Sequence, residues 1–145
     1  MDAFWAVEQC CVVEFQREGS IAERSLVSVV DDDESVRESL PDLLREFGFA
    51  ANSFSSAEEF LSSDSLTMTR CLVLDIAMPG MSGFDLQQEL ERSGQRIPIV
   101  FMTAQKDKAI QSRAFKQGAV SLLLKPFSDT ALLEAIKAAL HAYEK

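Results

Sequence analysis

Histidine is nearly missing from this chain: His141 is the only one among 145 residues. Cysteine is scarce too. Cys10 and Cys11 are adjacent and Cys71 opens an apolar run, so neither a disulfide framework nor a zinc-ligand spacing emerges. Reduced thiols in a cytosolic protein are the expectation. Basic residues are outnumbered, 14 Lys and Arg against 23 Asp and Glu, for a formal net charge of −9. Wrapping nucleic acid requires a Lys/Arg face, so no direct nucleic-acid binding is expected. The N-terminus carries Asp2 and Glu8 with no early Lys or Arg, which speaks against a signal peptide. No apolar run approaches the length of a membrane span. Repeats and low-complexity tracts are absent.

What is present is an ordinary globular balance, 47% hydrophobic and 26% charged, in a length that suits one domain with a sizeable core. Short β-rich runs alternate with helix-patterned segments. Strands are expected over residues 26–30, 49–54, 71–75, 97–103 and 119–124. Helices are expected over 34–47, through Leu61 from overlapping capping boxes at Ser55 and Ser56, over 84–92, over 107–117, and from Ser128 or Asp129 onward. Gly48 and Gly118 close the first and fourth of these. Pro41 should kink or split the first helix near Leu40. The alternation implies an α/β fold: a doubly wound, five-stranded parallel sheet flanked by five helices.

Residues 1–25 stand outside the alternation as an N-terminal extension, and residues 26–145 form the domain. Phe4, Val7, Cys11 and Phe15 fall on one helical face, with Trp5 and Val12 beside them. A docking or dimerising helix and a frayed extension carry equal weight.

In such a sheet, ligands bind beyond the carboxyl ends of the strands. The first strand ends in Asp31 and Asp32, the third in Asp75, the fourth in Thr103, and the fifth in Lys125-Pro126. With a flavodoxin-like order of 2-1-3-4-5, the acids of the first and third strands converge. Three ionised carboxylates need a compensating cation. An oxygen-only set with no nearby His or Cys points to Mg²⁺ rather than Zn²⁺. Acids with Mg²⁺, an ammonium and a hydroxyl suit a phosphoryl group, and Asp75, standing singly, is the best candidate nucleophile. The neighbouring Asp33 and Glu34 suit the cap and first turn of the following helix.

At these residues the sequence resembles bacterial response-regulator receiver domains of the CheY-like superfamily. The matching stretches are Val29-Val-Asp-Asp-Asp33, Leu72-Val-Leu-Asp-Ile-Ala-Met-Pro-Gly-Met-Ser-Gly83, Val100-Phe-Met-Thr-Ala104 and Leu124-Lys-Pro-Phe127. Four motifs in order at the strand ends are a specific signal. The loop and the run into Lys125 look most like the nitrogen-fixation, FixJ-like branch. The resemblance implies Asp75 as phosphoacceptor, Asp32 and the Ala77 carbonyl as direct Mg²⁺ ligands beside Asp75, and Asp31 acting through water. It implies that Lys125, aimed by a cis bond to Pro126, and Thr103 contact the phosphoryl oxygens, with the Ala77 and Ala104 N–H groups completing the cradle. A sensor histidine kinase is the implied donor. The resemblance also implies that the domain catalyses only its own phosphorylation and dephosphorylation, and homodimerisation through the fourth helix, fifth strand and fifth helix is a further expectation. The output is expected in a separate partner or a following domain, commonly a transcription factor, because the chain ends just past the fifth helix.

Two features set the chain apart within that family's pattern. Leu122 stands where Tyr or Phe is usual, so signalling through packing around Leu122, in place of an aromatic switch, is the expectation. Ala77 and Gln105 occupy the places that tune phosphate lifetime. Two other function classes compete: a haloacid-dehalogenase-like phosphatase, which wants Asp-x-Asp-x-Thr/Val where Asp31–Ser35 ends in Ser, and an unphosphorylated pseudo-receiver. His141 reads as a surface residue. Phe47, Phe49, Phe54 and Phe60 read as core, and Met78, Met81 and Met102 as loop and core packing.

Overall fold

The computed structural model describes residues 25–104 and 108–142. The expected helical face in residues 4–15, Cys10, Cys11, Gln105 and the helix start at Asp107 lie outside them.

Five strands and five helices alternate: β1 (Leu26–Val30), α1 (Glu34–Glu46), β2 (Ala50–Phe54), α2 (Ala57–Leu61), β3 (Thr69–Asp75), α3 (Gly83–Arg92), β4 (Ile99–Thr103), α4 (Lys108–Lys116), β5 (Ser121–Leu124) and α5 (Asp129–Ala142). A 3₁₀ turn, Asp64–Thr67, lies between α2 and β3. The strands pair in parallel in the order β2-β1-β3-β4-β5, the doubly wound topology that the alternation predicts. β1 and β3 are buried at nearly every position because both of their faces are covered.

The two faces hold two cores. Val27, Val29, Cys71, Val73, Val100 and Met102 pack with Leu40 and Leu44 of α1 and Leu132, Ile136, Ala139 and Leu140 of α5. Leu72, Leu74, Ile99 and Phe101 pack with Phe60 of α2, Phe84, Leu86 and Leu90 of α3, and Ala114 of α4. Phe49, Phe54 and Phe60 are buried and Phe47 packs partly buried against the first core, as expected of them. Met78 and Met102 are buried, and His141 is exposed. Burial pushes the free Cys71 thiol up to about 12, leaving it a small apolar filler rather than a thiolate.

Local chemistry sets the element ends. Ser56 caps α2 by accepting from the Glu59 N–H, while the Glu59 carboxylate reaches back to the N–H and hydroxyl of Ser55. Ser82 and Asp85 form a reciprocal capping box on α3. Ser128 accepts from the Ala131 N–H at the head of α5.

At Pro41, where a kink or a split is expected, α1 runs on as a single helix from Glu34 to Glu46 and does not split at Leu40. Proline removes one N–H donor and crowds the carbonyl four residues back. Against that, Leu40, Pro41 and Leu44 are all buried on the core-facing side of α1, and their burial offsets the lost hydrogen bond.

Candidate phosphoacceptor and metal site

Register assembles the site. Val30 pairs with Leu74 across β1 and β3, so the next residue of each strand, Asp31 and Asp75, leaves the sheet beside the other. Asp75 pairs with Met102, one residue before Thr103, and Thr103 pairs with Leu124, one residue before Lys125. The Lys125 N–H donates to the Thr103 carbonyl at 2.8 Å, which extends the β4–β5 ladder to the site. The Lys125–Pro126 bond is cis.

One carboxylate oxygen from each of Asp31, Asp32 and Asp75 lies within 4.8 Å of the other two. Asp31 is fully buried, Asp75 and Thr103 nearly so, and Asp32 is exposed at the mouth. Lys125 enters from the far side, its Nζ 2.8 Å from Asp31 Oδ2 and 3.7 Å from Asp75 Oδ2. The Ala77 N–H donates to Asp75 Oδ1 at 3.4 Å.

The electrostatics follow from three acids sharing one ammonium. Burial and the neighbouring Asp31 charge raise the Asp75 carboxyl to about 7, and Lys125 only partly counters them. Burial works against the Lys125 charge, but its bond to Asp31 and the fields of Asp75 and Asp31 outweigh that and raise its pKa. The excess of carboxylate over ammonium is what a hard divalent cation would balance. All-oxygen donors, with no His or Cys in the cluster, fit such an ion.

The run Asp31–Glu34 divides as expected. Asp33 turns away from the cluster to cap α1, its Oδ1 accepting from the Ser35 N–H at 2.9 Å, and Glu34 is the first-turn acid. Asp33 is therefore employed as a helix cap, which weakens the Asp-x-Asp phosphatase reading. Leu122 is half-buried against the α2–α3–α4 core.

Two site residues escape the sequence reading. The Arg37 guanidinium donates to the Asp31 backbone carbonyl at 3.1 Å, pinning the strand end. A Cβ on Gly83 would fall 2.6 Å from the Asp75 carbonyl oxygen, so only glycine lets α3 approach the phosphoacceptor candidate this closely. Arg37 had one sequence signal, a basic side chain one to two turns into the helix behind the acids. Gly83 had its place at the end of the Leu72–Gly83 stretch that carries the family resemblance, which does not by itself tell of the close approach of α3.

Comparison with known proteins gives the same picture. Residues 27–137 match the family model of the response regulator receiver domain. Nodulation protein W of Bradyrhizobium diazoefficiens is 47% identical over 116 residues, which cover 80% of this chain and 51% of that protein. Response regulator protein TodT of Pseudomonas putida is 42% identical over 116 residues, 80% of this chain and 51% of that protein. The chain thus spans about half the length of these curated relatives. Among solved structures, FixJ-N is 38% identical with a TM-score of 0.75, covering 83% of this chain and 97% of that one. By sequence, by topology and by the strand-end residues that its sheet brings together, the chain belongs to the response regulator receiver domain family.

Proposed function

We propose that this domain accepts a phosphoryl group on Asp75 from a sensor histidine kinase, with Mg²⁺, and that the modification switches an output function, transcriptional in the first instance. The observation that carries the reading is the convergence of Asp31, Asp32 and Asp75 within 4.8 Å, with Lys125 2.8 Å from Asp31 and 3.7 Å from Asp75.

In the transfer, an Asp75 carboxylate oxygen attacks phosphorus. A P–O bond forms as the donor's P–N bond breaks, and the electron pair leaves on the imidazole nitrogen, which takes up a proton. Asp75 must be deprotonated to attack, so its raised pKa is a brake on the metal-free site. Bound Mg²⁺, held by Asp32, Asp75 and the Ala77 carbonyl and by Asp31 through water, would offset the carboxylates and the phosphoryl oxygens. Lys125 takes one phosphoryl oxygen, in a shift from its place between the two acids. Thr103 donates its hydroxyl to another, and the Ala77 N–H, already directed at Asp75, to a third. The chemistry is self-directed, without turnover of an outside substrate.

Phosphorylation adds charge at the end of β3 and draws Thr103 inward at the end of β4, so the elements that follow, α4 and β5, are placed to rearrange. Phe115 on α4 and Leu124 on β5 are exposed at 53% and 37%, apolar anchors for a homodimer through α4, β5 and α5. Beryllofluoride with Mg²⁺ tests the reading: ¹H–¹⁵N shifts spreading from Ala77 to α4 and β5 are expected, and their absence would support a pseudo-receiver.

A further inference from the structure

The helix α4 is lightly anchored. Of its residues only Ala114 is fully buried, and Ile110 packs partly buried against the same core. Side chains also tie it to α3. Gln87 Nε2 donates to the Gln117 backbone carbonyl just past α4. Arg113 of α4, itself exposed, lays its guanidinium over the Phe84 ring of α3, 4.3 Å from the centroid.

Phe84 is a fixed platform for that cation. It is buried, and it follows the Gly83 that packs against the Asp75 backbone. Its ring meets Phe101 of β4 edge-on, with centroids 5.2 Å apart and planes at 65°. Phe101 and Thr103 stand two residues apart on β4 and so share a face of the sheet. Phe101 also pairs in register with Leu122 of β5, the position without an aromatic ring. Along this face, the line from Thr103 passes through Phe101 and Phe84 to Arg113.

The attraction of a cation to an aromatic face acts within about 6 Å of the centroid. From 4.3 Å, a displacement of α4 by about 2 Å ends it. Phe84 is held in the core and would stay behind.

We infer that Arg113 is a latch: its guanidinium on Phe84 holds α4 against α3 in the unmodified domain, and the shift of α4 on phosphorylation releases it. The inference rests on the proposed rearrangement of α4 and β5 and names a contact that opposes it. With Leu122 on β5, the aromatic partner of the switch stands on α3 instead.

The full chain, unmodified or saturated with beryllofluoride and Mg²⁺, tests this in ¹H–¹⁵N spectra. In the unmodified wild type the Arg113 Nε–H, carried at the ring face, is expected upfield of the other arginine Nε–H signals. It should move back toward them on beryllofluoride binding. Arg113→Met keeps an apolar stem and removes the cation. In the unmodified protein it should displace the Ser121–Leu124 amides along the line from free to beryllofluoride-bound wild type. The switched fraction should rise about two- to fivefold, the loss of one exposed cation–π contact. Arg113→Lys, still a cation, should reverse at least half of that displacement. Amides that stay in place or leave that line in Arg113→Met overturn the latch. So do equal effects of Met and Lys, or an Arg113 signal that beryllofluoride leaves upfield. A wild type whose α4 and β5 amides ignore beryllofluoride defeats the proposed rearrangement and the latch with it. A responsive wild type with a silent Arg113→Met defeats the latch alone.

Discussion

Lys125 Nζ lies 2.8 Å from the fully buried Asp31 and 3.7 Å from Asp75, so one ammonium stands between the two acids at the adjacent ends of β1 and β3. Its removal leaves two neighbouring carboxylates without their fixed counter-charge. Lys125→Met should therefore raise the Asp75 pKa above about 7 and lower phosphorylation yield at least tenfold. ¹³C-detected titration of Asp75 and intact-mass kinetics measure the two effects.

Asp75 also makes stability depend on pH. Its carboxyl rises from 3.8 to about 7 on folding, so between those values the folded state holds more protons than the unfolded state. Stability therefore falls as pH rises through that window and levels off above it. Asp75→Asn removes the penalty. In metal-free protein, a Tm gain of roughly 5 °C is expected at pH 8, equivalent to about 1–2 kcal/mol for a domain of this size. The gain should shrink toward zero near pH 4. Thermal melts across pH measure it, and a constant gain would dissociate the effect from Asp75 titration.

The acid run predicts a division of labour. Asp32→Asn should weaken Mg²⁺ binding at least tenfold, because it removes a charge from the cluster. Asp33→Ala should leave Mg²⁺ affinity within about twofold yet cost about 1 kcal/mol of stability, through the lost cap on α1. Calorimetric Mg²⁺ titration and denaturant melts separate the two effects.

Gly83→Ala forces a Cβ to within 2.6 Å of the Asp75 carbonyl oxygen. A shift of α3 away from the end of β3 relieves the clash, at a cost of about 1–3 kcal/mol. Phosphorylation should slow as Asp75 is displaced. Denaturant melts and phosphorylation kinetics on the variant check both effects.

The sequence made the site legible because parallel strands bring their carboxyl ends to one edge. Asp31, Asp75, Thr103 and Lys125 each stand at or just beyond the end of an apolar run, and register did the rest. Less legible were features that depend on packing between elements. Pro41 reads locally as a break, but the burial that carries α1 through it comes from the sheet beneath. Gly83 reads as a turn residue, and only the approach of α3 to the Asp75 backbone reveals why a side chain there is excluded. The strands also start differently from their apolar runs. β3 begins two residues early, at Thr69, where the Ser28 and Thr69 hydroxyls bond at 2.7 Å, and β4 begins only after Pro98, which has no N–H to pair.

Incubation with acetyl phosphate and Mg²⁺, read by intact mass, tests the central claim most directly. The account predicts addition of one phosphoryl group to the wild-type chain, none to Asp75→Asn, and none after Mg²⁺ is chelated. An unchanged wild-type mass, under conditions that modify another receiver domain, would contradict it, as would equal modification of Asp75→Asn.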